Sequence, residues 1–73
     1  MAEPTREEIC AAIRRRLNAR ELPRIEGDVF RVYDHVCQRG ERLEDVTSAF
    51  PGLTMEAAQA AWDTLRAWAE DEA

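Results

Sequence analysis

Residues 50–73 read FPGLTMEAAQAAWDTLRAWAEDEA, and this stretch decides the fold class. Pro51-Gly52 is a strong helix terminator, and Thr54 is a suitable N-cap for the helix that follows the turn. Apolar residues then recur every three or four positions, as on the buried face of a helix: Ala58, Ala61, Trp62, Leu65, Trp68 and Ala69. A tight turn followed by a capped amphipathic helix is typical of the second half of a helix-turn-helix unit.

Three further helices precede this one in the sequence. The first covers about 6–19 and begins with a capping box formed by Thr5 and Glu8. The second begins near residue 28 and closes at Gly40, which is expected in a left-handed conformation, and the third covers about 42–49. No alternating run of apolar and polar residues indicates a strand.

These patterns predict an all-α fold with four helices, in one small domain that covers residues 1–73. The last three helices are expected to form a helix-turn-helix-like trihelical core without a wing, over about 28–69. The acidic segment 70–73 opposes the dipole at the end of the last helix, so we expect it to fray.

The second helix has a wide apolar stripe. We predict that its inner face contains Val29, Phe30, Tyr33, Val36 and Cys37. His35 falls on the opposite, polar face, where we expect it to be exposed to solvent rather than to act as a ligand or a base.

The two cysteines, Cys10 and Cys37, form neither a CxxC pair nor a metal-binding set, and the single His35 cannot complete one. Because disulfides are rare in the cytosol, we expect two buried, reduced thiols. The alternative is a disulfide that joins the first two helices.

The charge of the chain argues against direct DNA binding. The net charge is −5, whereas proteins that neutralise phosphates usually have a basic surface. The outer face of the last helix offers Met55, Glu56, Gln59, Ala60 and Asp63. Only Gln59 is a plausible base reader, and acidic residues flank it. This surface is better suited to a protein partner.

Positive charge is concentrated on the first helix and the loop after it. Such a cluster is either a solvated face that pairs with acids of the last two helices, or a contact patch for an acidic or apolar partner. Trp62 is expected in the core. Trp68, near the end of the last helix, is also expected in the core, and the alternative is that it is exposed and anchors an interface. The candidate partner-binding residues are Arg14, Arg15, Arg16, Arg20, Arg24, Met55, Gln59 and Trp68.

Enzyme chemistry has no support in the sequence. No nucleophile lies beside a base, and no glycine-rich phosphate loop or metal set is present, so we predict no catalytic residue, no cofactor and no metal.

The polar N-terminus does not resemble a signal peptide, and no apolar run has the length of a membrane span. We expect a soluble, cytoplasmic monomer.

The apolar positions over 28–69 are similar to those of the trihelical core of helix-turn-helix regulators, although a plain four-helix bundle would also fit. The positions that carry this resemblance are Phe30, Tyr33, Val36, Gly40, Leu43, Val46, Phe50, Leu53, Thr54, Ala58, Trp62 and Leu65. Length, acidity and helical pattern together resemble the small phage-encoded regulators, of the type found in Xanthomonas-infecting phages, that bind bacterial RNA polymerase.

That resemblance implies a protein partner, a bacterial RNA polymerase subunit, and a regulator that inhibits initiation or causes antitermination. Two alternatives stay open. One is a weak or dimeric helix-turn-helix DNA-binding regulator that uses the arginines between Arg14 and Arg24 for phosphate contacts. The other is a structural or docking helical module.

Overall fold

The computed structural model describes residues 4–21 and 25–70, and within these ranges the chain is all-α with four helices and no strand. The first helix, α1, covers Arg6–Asn18. The second consists of α2, Gly27–Val32, which continues without a break into a π-helical segment, Tyr33–Gln38. Helices α3 and α4 cover Leu43–Ala49 and Met55–Glu70. The predicted fold class is confirmed.

Local hydrogen bonds close both ends of α1. The predicted capping box is present, because the Glu8 amide donates to Thr5 Oγ1 at 3.1 Å and the Glu8 carboxylate accepts from the Thr5 amide. At the other end, Arg20 has a left-handed φ of 58°. The Arg20 amide donates to the Leu17 carbonyl, and the next amide donates to the Arg16 carbonyl, which is the Schellman pattern of a helix end.

The second helix changes its hydrogen bonding at Tyr33. In the π segment the amide of residue i bonds to the carbonyl five residues back, as Arg39 does to Asp34 at 3.2 Å. Gly40 then ends the helix with a φ of +70°, as predicted. A π turn holds more residues than an α turn, so side chains shift around the helix axis relative to the α-helical spacing.

The prediction for His35 was wrong because the chain around the turn between α3 and α4 packs over this face of the second helix. His35 is 7% exposed, within the core side of the π segment rather than on a solvated face. Its Nδ1 lies 3.3 Å from Glu41 Oε2, and its ring contacts Phe50 edge-on at a centroid distance of 5.3 Å. The Arg31 guanidinium covers the same Phe50 ring at 5.1 Å. Through these contacts the second helix packs against Phe50, at the start of the turn between α3 and α4.

Phe30 also departs from its predicted place in the apolar stripe, because it is 51% exposed. Val32 is fully buried instead. The two residues are two positions apart, or about 200° around an α-helix, so they cannot both face inward.

The core lies where all four helices meet, and α4 packs against α1, α2 and α3. Its most deeply buried members come from every helix: Ile13, Val32, Val46, Ala58 and Leu65. The predicted N-cap of α4 is confirmed, since the Ala57 amide donates to Thr54 Oγ1 at 3.1 Å. Helix α3 and the Phe50–Thr54 turn lead directly into α4, but the helix-turn-helix geometry of this core stays a prediction.

Cys10 and Cys37 form a disulfide, so the expectation of two reduced thiols was wrong. The bond joins α1 to the π segment, as in the alternative left open by the sequence. Both cysteines lie on inward faces of helices that pack together, and their Cα atoms are 5.3 Å apart, within the usual range for a disulfide. Packing of the two helices, rather than spacing in the sequence, brings the sulfur atoms together.

Among the described residues, no helix is both long enough and apolar enough to cross a bilayer.

Candidate partner-binding surface

Two of the predicted partner-binding arginines are directed at other helices of the same chain. The Arg14 guanidinium donates to the Cys37 carbonyl at the end of the π segment, and the Arg16 guanidinium donates to the Trp68 carbonyl in α4. Arg16 also lies 3.7 Å from Glu21, with a side chain only 14% exposed. These two guanidinium groups therefore donate hydrogen bonds to backbone carbonyls. The sequence had suggested ion pairs with acidic side chains of α3 and α4 instead.

The remaining arginines of the predicted cluster do not share one site. Arg15 is exposed and lines a shallow cleft with Ala69 and Glu70. Arg20 lies beyond the end of α1, exposed, in the left-handed position described above. Arg24 lies outside the described residues. The arginines that the structure describes thus point to different neighbours, so they make no continuous phosphate-binding face.

On α4, the structure brings together two predicted residues and two that the sequence interpretation missed. Met55, Gln59, Trp62 and Arg66 follow one another at helical spacings of four, three and four positions. Residues with this spacing lie along one side of a helix, and we call this set the α4 stripe. Met55 is 45% exposed, and the Gln59 side-chain amide donates to Asp63 Oδ1 at 3.0 Å. Trp68 lies outside the stripe and is half-buried.

A cleft of about 380 Å³ opens beside the α4 stripe, between α4 and the first turns of α1 and α3. We call it the α4 cleft. Its lining consists of Pro4, Arg6, Ile9, Val36, Leu43, Glu44, Gln59, Trp62 and Arg66. The apolar members include Ile9 and Val36 from the buried core and the half-buried Leu43 and Trp62, whereas the polar members come from three different helices.

Two arginines with fixed neighbours line the α4 cleft. Arg6 Nη1 donates to the Glu41 carbonyl at 3.2 Å, and Arg66 Nε lies 3.7 Å from Glu70 Oε1. Glu44 is the acidic residue that lines the cleft with them. A lining that combines apolar side chains with two guanidinium groups suits an apolar side chain that has a carboxylate close by, because guanidinium groups bind carboxylates with matched geometry.

Trp62 and Arg66 were missed because the sequence interpretation divided α4 into a buried and an outer face. Trp62 was placed in the core, but it is half-buried and also lines the cleft. The available signal was the spacing itself, since Trp62 and Arg66 continue the line of the predicted Met55 and Gln59. Residues at the boundary between the two faces of a helix can serve both packing and binding.

The described residues contain no group of three or more His, Cys, Asp or Glu side chains that could hold a metal ion. Comparison with protein families, with characterised proteins and with solved structures finds no match to this chain.

Proposed function

We propose that this protein is a transcription regulator that acts by protein–protein contact, and that its partner is a bacterial RNA polymerase subunit in the cytoplasm. The observation that carries the choice of a protein partner is the α4 stripe beside the α4 cleft. Tryptophan, methionine and arginine are enriched at protein interfaces, and tryptophan and arginine dominate their binding energy. The identity of the partner rests on the resemblance to the small phage-encoded polymerase regulators.

In this proposal the partner inserts an apolar side chain over Trp62 and places a carboxylate near Arg6 or Arg66. Met55 and Gln59 extend the contact toward the start of α4. Occupation of a polymerase surface in this way inhibits initiation or changes termination, depending on which factor the bound protein displaces.

The contact is tested with two double variants of equal charge. Met55→Glu/Gln59→Glu alters the stripe, whereas Ala60→Glu/Ala67→Glu adds the same charge to exposed positions on the other side of α4. Gln59 and Ala60 have similar acidic neighbours on the helix, but a carboxylate is favourable at Met55 in the first turn of α4 and unfavourable at Ala67 in the last turn. The control variant is therefore expected to be the less stable of the two, so weaker binding by the stripe variant alone cannot be assigned to a loss of helix stability. Binding to purified bacterial RNA polymerase is measured by biolayer interferometry, with run-off and terminator read-through transcription as the functional assays.

We expect the stripe variant to bind at least about tenfold more weakly, which corresponds to about 1.4 kcal/mol, and the control variant to bind like the wild type. Equal binding by both variants would exclude the α4 stripe as the contact. A wild-type protein that binds neither the core enzyme nor the holoenzyme would contradict the proposed partner.

A further inference from the structure

We propose that the Cys10–Cys37 disulfide is a thiol–disulfide exchange site. A dithiol reductant converts the cross-linked protein at this site into a dithiol form of lower stability. The observation behind this proposal is the placement of the bond: it joins α1 to the π segment and lies beside a surface cleft and an arginine. The inference does not depend on the partner proposed above.

The two half-cystines are mostly buried, at 5% and 7% exposure, but a cleft of about 210 Å³ reaches them from the surface. This cleft is lined by Arg6, Glu7, Cys10, Arg14, Val36, Cys37 and Gly40. A small thiolate can therefore approach the bond without unfolding of the core.

Arg14 is the positioning residue of the exchange site. Its guanidinium donates to the Cys37 carbonyl, which holds a positive charge beside the disulfide. A nearby arginine attracts the attacking thiolate and stabilises the cysteine thiolate that leaves, and both effects speed the exchange. The Glu7 carboxylate lines the same cleft and opposes part of this field.

The exchange has two steps. A thiolate of the dithiol attacks one protein sulfur atom and forms a mixed disulfide; the Cys10–Cys37 bond breaks, and its electron pair leaves on the other cysteine, which then takes a proton from water. The second thiol of the reductant then loses its proton and attacks the other sulfur atom of the reductant, which is bonded to the protein cysteine in the mixed disulfide. This releases the second cysteine and closes a disulfide within the reductant, so two electrons pass to the protein.

Reduction removes the disulfide cross-link between α1 and the π segment. Contacts that remain among the described residues include the bond from Arg14 to the Cys37 carbonyl, the bond from Arg6 to the Glu41 carbonyl just after the π segment, and the apolar contacts of the core. The disulfide closes a loop between residues 27 positions apart, so its loss should lower the melting temperature by about 10 °C or more in a chain of this size.

The test equilibrates the purified protein with mixtures of reduced and oxidised dithiothreitol, quenches with an alkylating agent and counts the labelled cysteines by mass spectrometry. Circular dichroism follows the melting temperature in each mixture. We expect no label on the oxidised protein, two labels on the reduced protein, and a parallel fall in melting temperature. The Cys10→Ala/Cys37→Ala variant should melt at one temperature in all mixtures, near that of the reduced wild type.

Two results overturn the proposal: thiols that stay alkylatable in oxidised dithiothreitol, or a bond that survives in excess reduced dithiothreitol while the protein stays folded. The role of Arg14 is tested by the rate of reduction. Arg14→Gln should slow it several-fold at unchanged labelling stoichiometry, and Arg14→Lys should restore it. An unchanged or faster rate in Arg14→Gln would overturn the role of Arg14.

Discussion

Arg20 ends α1 in a backbone conformation that glycine accepts far more readily than other residues. Its φ of 58° completes the hydrogen bonds to the Leu17 and Arg16 carbonyls, so the chain needs this conformation to leave the helix. A Cβ atom makes the left-handed region unfavourable, and a residue other than glycine carries that cost in the folded state.

Arg20→Gly is therefore expected to raise the free energy of unfolding by about 0.5–1 kcal/mol, measured by urea denaturation. Arg20→Ala is the matched control, because it removes the guanidinium but keeps the Cβ atom. Equal effects of the two substitutions would assign the change to the charge of Arg20 rather than to its backbone.

At the scale of elements, the π segment is the part of the fold that the sequence could not predict. Helix ends follow local rules, which is why the capping box of Thr5, the cap of Thr54 and the terminal Gly40 were all identified correctly. The change from α to π hydrogen bonding leaves no comparable signal, since it depends on how the helix packs. His35 was predicted to be exposed because the sequence does not show that Phe50 and Glu41 cover its face of the helix.

Gly40 allows the π segment to end where it does. Gly40→Ala should lower the free energy of unfolding by about 1 kcal/mol or more, because alanine is strained at a φ of +70°. Gly52→Ala provides the control: Gly52 is not in the left-handed region, and an added Cβ atom there meets no atom within 4 Å. Thermal unfolding of both variants compares them directly, and an equal loss at the two positions would contradict a conformational cause.

For the whole molecule, long-range contacts limited what could be predicted. The helices and most of the core follow from apolar spacing, whereas the disulfide and the inward bonds of Arg14 and Arg16 join residues distant in sequence. Two residues of the α4 stripe, Met55 and Gln59, were candidates from the sequence because they were expected on the outer face of α4. Arg6 was not, because only the tertiary fold brings α1 to the α4 cleft.

The distribution of charge over the whole molecule leads to a prediction about nucleic acid. The net charge is −5, and two arginines of the basic cluster donate to backbone carbonyls. We expect no retardation of a random DNA duplex in a low-salt mobility-shift assay at roughly tens of micromolar protein. Glu56→Lys/Asp63→Lys reverses the charge of the outer face of α4 and changes the net charge from −5 to −1, so it serves as the charge-reversed comparison. Retardation by the wild type with a steep salt dependence would support the DNA-binding alternative instead.

The two tryptophans of α4 occupy different surroundings. Trp62 lines the α4 cleft, whereas the backbone of Trp68 accepts the bond from Arg16 where α1 meets α4. Indole emission depends on local polarity and on nearby quenching groups, so we expect the emission of Trp62 to change more than that of Trp68 when the α4 cleft is occupied. A Trp68→Phe protein has a single emitter in the cleft, and a Trp62→Phe protein has a single emitter at the helix junction. Trp62 is therefore expected to report occupancy of the α4 cleft without an added label.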